Sequence, residues 1–172
     1  MLFRSLGKPA AGPNAAEGSI RETSPQSQAI ARAVGARIAE RGGAALIIDY
    51  GYAETPPEGG DTFQAVRDHS YVDPLASPGE ADLTAHVDFA ALAAAARSGG
   101  AATSGPVTQG AWLARMGVGA RAEALVRAKP EESAAIAAAL RRLTHGDEMG
   151  TLFKVLAIHG ETQPPPPGFD AQ

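Results

Sequence analysis

The side chains best suited to chemistry gather between Gly42 and Pro78 and in the segment that follows. Asp49 ends a short apolar run, where a carboxylate can hold a ligand hydroxyl, orient a substrate cation or cap the turn at Tyr50-Gly51. Gly60-Asp61-Thr62 offers a second polar cluster, or simply a turn before a short strand over 62–66. Arg67, Asp68 and His69 crowd three ionisable groups together. Asp68 could orient the imidazole, yet neighbours in an extended segment point to opposite faces. His69, Asp82, His86 and Asp88 are the one grouping with metal-ligand residue types. They lack HExxH, paired-His or cysteine spacing, and capping a helix is the simpler role for Asp88, so no metal is expected. Trp112 reads as a half-buried packing anchor, with a ligand platform as the alternative, and His145 and His159 as surface residues beside element ends. Gly99, Gly100, Gly105 and Gly110 never form G-x-G-x-x-G after a strand, so no dinucleotide-type phosphate loop is expected.

The elements that must position these residues are unevenly signalled. Ser24 as cap, Pro25 at the first helical position and Gly42 after the last turn predict a helix, with Ile30, Val34 and Ile38 as its apolar stripe. It leads into Ala44 to Ile48, a run without polar alternation, which predicts a strand covered on both faces in a parallel α/β sheet. About thirty residues without a clean period follow, but their tyrosines and Phe63 argue against plain disorder. A small-residue helix is expected over 90–97, capped by Asp82 or Thr84, and a weak strand around Thr103 and Val107. Short helices are expected over 110–116, 120–128 and 130–143, and a strand over 152–158. Residues 1–22 read as an irregular N-terminal segment and 161–172 as an extended Pro-rich tail. Two strong strands and one weak one are few for a doubly wound sheet. Either strands hide in the long loop or part of the domain is missing, and the second is the expectation.

At 172 residues the chain is long enough for one real core. Its formal charge of −4, with no dense basic cluster, points away from nucleic-acid partners. No apolar run approaches a bilayer span, so no membrane insertion is expected. The absence of cysteine excludes disulfides and thiolate metal sites.

Several strings together carry a resemblance. They are Ile47-Ile48-Asp49-Tyr50-Gly51, Gly60-Asp61-Thr62 with Gln64 to Arg67, and Pro78 to Phe89. Gly105-Pro106 with Gln109-Gly110, and Met149 to Val155, complete the set. Over residues 20–169 the chain resembles the S-adenosylmethionine-dependent methyltransferases of the MidA type, which include a mitochondrial arginine methyltransferase that assists respiratory complex I assembly. The resemblance implies an α/β, class I (Rossmann-like) fold, with helices on both faces and the last strand antiparallel. Residues 44–48 would be its fifth strand, the region from Ala101 its sixth and 152–158 its seventh. The implied organisation is an incomplete fold, the C-terminal half of the sheet, over 23–160 with an insertion at 51–86. The donor-binding glycine-rich loop of such proteins is not among these residues, so S-adenosyl-L-methionine is the cofactor of the intact family, with little binding expected from this chain.

The implied chemistry is attack of a substrate nitrogen on the donor methyl group, with carboxylates holding a guanidinium. Asp49, Tyr50, Gly51, Asp61, Thr62, Arg67, His69 and His86 are the substrate-cleft candidates, with no catalytic base assigned among them. Implied partners are a protein substrate, a complex I core subunit in the intact family, and a second copy in a homodimer. The implied location is cytoplasmic in bacteria and mitochondrial in eukaryotic relatives. The alternative is a non-catalytic α/β remnant acting through protein contacts, with Trp112 and the long loop as its surface. The blandest reading is a domain with no ligand site of its own.

Overall fold

The computed structural model describes residues 20–54, 61–76 and 79–169. The expected N-terminal segment therefore lies mostly outside the described residues. Helix α1, Pro25–Arg41, starts on the Ser24 hydroxyl, which accepts from the Ser27 N–H, and ends where Gly42 adopts φ 73°. Its buried face is Ala31, Gly35 and Ile38; Ile30 is 65% exposed. The buried stripe is therefore turned from the expected one. The cause is a close helix crossing: a Cβ on Gly35 would collide with the Ala96 backbone carbonyl, so only glycine lets the two helices meet there.

Strand β1 runs Ala44–Tyr52, through the Asp49-Tyr50-Gly51 segment where a break was expected. The first two residues of the expected insertion at 51–86, Gly51 and Tyr52, therefore belong to this strand. That insertion hides three strands: β2 Gln64–Arg67, β3 Ser70–Val72 and β4 Asp82–Thr84 form a separate antiparallel sheet of order β3-β2-β4. Strand β5, Val87–Asp88, returns parallel to β1 and leads into α2, Phe89–Ser98. The Asp88 carboxylate accepts from the Ala91 N–H and caps α2; Asp82 and Thr84, the expected caps, lie in β4. Strand β6, Ala102–Thr108, is bent at the cis Gly105-Pro106 bond, where its register shifts. Helices α3 Gln109–Arg115, α4 Val118–Ala128, α5 Ser133–Thr144 and the single turn α6 Met149–Leu152 precede the last strand, β7 Phe153–His159.

The main sheet has the order β5-β1-β7-β6, with β7 antiparallel to both of its neighbours. Its core lies on the α1–α2 side, where Phe89, Leu92 and Leu156 form one cluster and Ile38, Ala96 and Ile158 another. Ala45 and Ile47 of β1 pack there, whereas Leu46 and Ile48 on the other face are 49% and 46% exposed. The expectation of a strand covered on both faces therefore fails. Among the described residues, Ala44 to Tyr50 pair only with β7, so the opposite edge is open. The C-terminal segment also departs from a free tail. The Trp112 indole donates to Pro167 O at 3.3 Å, Arg115 donates to Gly168 O at 3.1 Å, and Gly168 is buried. Trp112 is a packing anchor. His159, expected at the surface, is 5% exposed and bonds through Nε2 to the Ser104 hydroxyl at 2.9 Å.

The β2–β3 connection is a two-residue hairpin whose central residues, Asp68 and His69, both have positive φ (51° and 62°). Type I′ turns need that geometry and favour Asn-Gly. Replacing His69 by glycine removes left-handed strain, and the expected gain is about 1 kcal/mol. Urea unfolding of His69→Gly checks this, and unchanged or lower stability contradicts it.

Candidate functional site

The site forms where β1 ends. Residues 50 and 52 alternate onto one face of the strand, so both tyrosine rings emerge on the same side. The β1–β7 register sets Tyr50 opposite Phe153, with ring centroids 5.6 Å apart and planes at 70°. His86 meets Tyr50 edge-on at 5.8 Å and lies tilted against Tyr52 at 6.4 Å. These are favourable aromatic geometries. Gly51 sits between the tyrosines against β5, and a Cβ there would clash with the Val87 backbone. Glycine is what allows β5 to bring His86 alongside.

Thr62 ties three distant segments to this cluster. Its N–H and its hydroxyl both donate to the Glu22 carboxylate, at 3.0 and 2.6 Å, and its hydroxyl oxygen accepts from the His86 N–H at 2.9 Å. Thr62 Oγ1 thus works as donor and acceptor together, which valine cannot do. Glu22 and Asp88 bring two carboxylates near Tyr52. Desolvation raises the Tyr52 pKa first, and the fields of Asp88 and Glu22 raise it further. The phenol therefore stays protonated at neutral pH.

Of the sequence candidates, the structure brings together Tyr50, Gly51, Thr62 and His86. Asp49 points to the opposite face of β1, where its carboxylate accepts from the Tyr50 N–H at 2.8 Å. Asp61 is exposed, Arg67 pairs with Glu80 at 3.4 Å, and His69 occupies the exposed hairpin tip. The Asp68–His69 pair is thereby explained as turn chemistry. Among the described residues no group of three His, Asp or Glu side chains is arranged to hold a metal ion. Sequence reasoning missed the parts played by Glu22, Tyr52 and Phe153. Glu22 stands two residues before the Ser24 cap, which is the one signal that could have marked its place beside a helix start.

Arranged this way, the site is an aromatic wall with two carboxylates at its rim, suited to a flat cationic group. Two outcomes test the geometry. Thr62→Val is expected to lose about 1–3 kcal/mol in urea unfolding through the stranded Glu22 and His86 partners, with Thr62→Ser close to wild type. Equal stability of all three contradicts the clasp. Because the folded-state Tyr52 pKa is raised, its contribution is present at neutral pH and lost as pH rises above the ordinary phenol value of about 10. Thermal melts across that range should therefore fall less steeply for Tyr52→Phe than for wild type, and parallel falls contradict this.

The chain is similar to known proteins in sequence and in fold. Residues 4–107 match the family described as "Putative S-adenosyl-L-methionine-dependent methyltransferase". The chain is 45% identical over 124 residues to the Drosophila melanogaster homolog of the mitochondrial protein arginine methyltransferase NDUFAF7, covering 71% of this chain and 28% of that protein. It is 37% identical over 162 residues to Xenopus tropicalis NDUFAF7, covering 86% of this chain and 35% of that protein. A crystal structure of an uncharacterized Burkholderia thailandensis protein superposes with TM-score 0.77 at 31% identity, over 94% of this chain and 42% of that one. Another member of that superfamily from the same organism, solved with S-adenosyl-homocysteine bound, gives TM-score 0.75 at 30% identity, over 93% and 40%. The chain spans about a third of the length of the curated relatives it matches. It belongs to this S-adenosyl-L-methionine-dependent methyltransferase family and is related to the NDUFAF7 proteins.

Proposed function

We propose that this chain is the C-terminal, acceptor-side portion of a class I methyltransferase domain that methylates a protein arginine nitrogen. One observation carries the reading. The aromatic–carboxylate cluster stands at the end of β1, in a sheet that superposes on a relative holding S-adenosyl-homocysteine. Ligands of open α/β sheets bind beyond the carboxyl ends of strands. The open β1 edge, with Leu46 and Ile48 beside it, is where the remainder of such a sheet would pair.

The residues present suit the acceptor better than the donor. Tyr50, Tyr52, Phe153 and His86 form an edge-to-face aromatic cluster, and a ring face of that cluster can take a planar guanidinium. Glu22, which accepts two hydrogen bonds from Thr62, and Asp88, which caps α2, are fixed carboxylates that favour the cation and hold its orientation. Tyr52, protonated at neutral pH, is available to donate a hydrogen bond to a bound group. S-adenosyl-L-methionine, when bound, supplies an electrophilic methyl group; no adenosyl cradle is formed among the described residues. The link to complex I assembly belongs to this proposal as what the family resemblance implies, and the similarity to proteins named as arginine methyltransferases supports the arginine acceptor.

The competing reading, a remnant working only through protein contacts, drew its surface from Trp112 and the long loop. Trp112 is engaged by the chain's own C-terminal segment, which leaves that reading the loop alone. Calorimetric titration of the 172-residue chain with S-adenosyl-L-methionine is expected to give a Kd weaker than about 1 mM. Micromolar binding would show a complete donor site and overturn the acceptor-side reading.

A further inference from the structure

We infer that the exposed face of the β3-β2-β4 sheet docks an extended, arginine-bearing segment of the protein substrate across the row Tyr71, Val66 and Asp82. The inference rests on the acceptor-side reading and names the partner class for it. Val66 is the register partner of both Tyr71 and Asp82, so the three side chains share one face in a straight row across three strands. Tyr71 is 78% exposed and Asp82 is exposed, while Val66 between them is half-buried. The opposite face is covered at its centre, where Ala65 is 1% exposed, while its register partner Leu83 on the outer strand is 42% exposed.

Charge selects the occupant. Residues 51–86 hold seven carboxylates and one arginine, a net of −6, while the rest of the chain is +2. That single arginine, Arg67, is engaged by Glu80. An arginine stem laid along Val66 can stack its guanidinium on Tyr71 or pair it with Asp82, and the ladder already fixes both groups. The acidic field repels a nucleic-acid backbone. Position selects the same occupant. Strand β2 begins two residues after Thr62 and β4 ends two residues before His86, so a segment lying on this sheet runs beside the site.

The test uses the full chain and a short fluorescein-labelled Gly/Ser peptide carrying spaced arginines, followed by fluorescence anisotropy at low salt without methyl donor. Binding is expected to weaken about threefold in Tyr71→Ala and about tenfold in Asp82→Lys, and to hold in Tyr71→Phe. Glu40→Lys, an equal charge change on the exposed side of α1, should leave it unchanged. Urea unfolding verifies that each variant is folded. Full affinity in Tyr71→Ala and Asp82→Lys overturns the proposal. So does equal loss in Glu40→Lys, or equal binding of an Arg→Glu peptide or of single-stranded DNA. Since no donor is present, failure here leaves the methyl-transfer reading standing, and failure of donor binding leaves this result untouched.

Discussion

The antiparallel ladder between β1 and β7 is the constraint on which the rest depends. Seven register pairs, from Ala44–His159 to Tyr50–Phe153, span all of β7 and β1 as far as Tyr50. A slip of one residue would exchange the faces of every side chain, removing Leu156 and Ile158 from the helix-covered core. It would also separate Tyr50 from Phe153. Lys154 locks the end of the ladder: its ammonium donates to Gly51 O at 3.0 Å, Thr151 O at 2.6 Å and Leu152 O at 3.3 Å. Burial lowers the Lys154 pKa, yet three carbonyl acceptors are what a partly desolvated ammonium needs.

Given that frame, the site needs only short-range additions. Gly51 allows β5 to close in, β5 brings His86, and Thr62 fastens the insertion and the segment before α1 to the same point. On the proposed reading, function divides between a rigid part, the aromatic cluster on the ladder, and a peripheral part, the small sheet of the acidic 51–86 insertion. Sites held on strands are more precisely placed than sites on loops. The small sheet tolerates a strained Asp68–His69 turn because that turn lies at the end remote from Thr62 and His86.

Features decided by neighbours in sequence were legible, and those decided by distant contacts were not. The ends of α1 follow from Ser24, Pro25 and Gly42, all local signals. Its buried face does not, because the contact of Gly35 with Ala96 involves a backbone that no hydropathy pattern records. Strands β2 to β4 are three or four residues long, too short for a period to show. Tyr50, Thr62 and His86 were readable as candidates by residue type. The part of Glu22 was not, since it depends on a bond spanning forty positions to Thr62. His159 fell on the wrong side for the same reason: Ser104, its partner, lies on a different strand.

The chain belongs to a methyltransferase family, and the proposal assigns it the acceptor side of that fold. The central claim is that the cluster at the end of β1 receives the acceptor nitrogen. The most direct measurement is label transfer from S-adenosyl-L-methionine to an arginine peptide by a chimaera, in which this chain replaces the matching part of a Burkholderia thailandensis relative. The account expects label on arginine, abolished by Tyr52→Ala with donor binding retained. Undiminished transfer in that variant, or none from a chimaera that binds the donor, would contradict it.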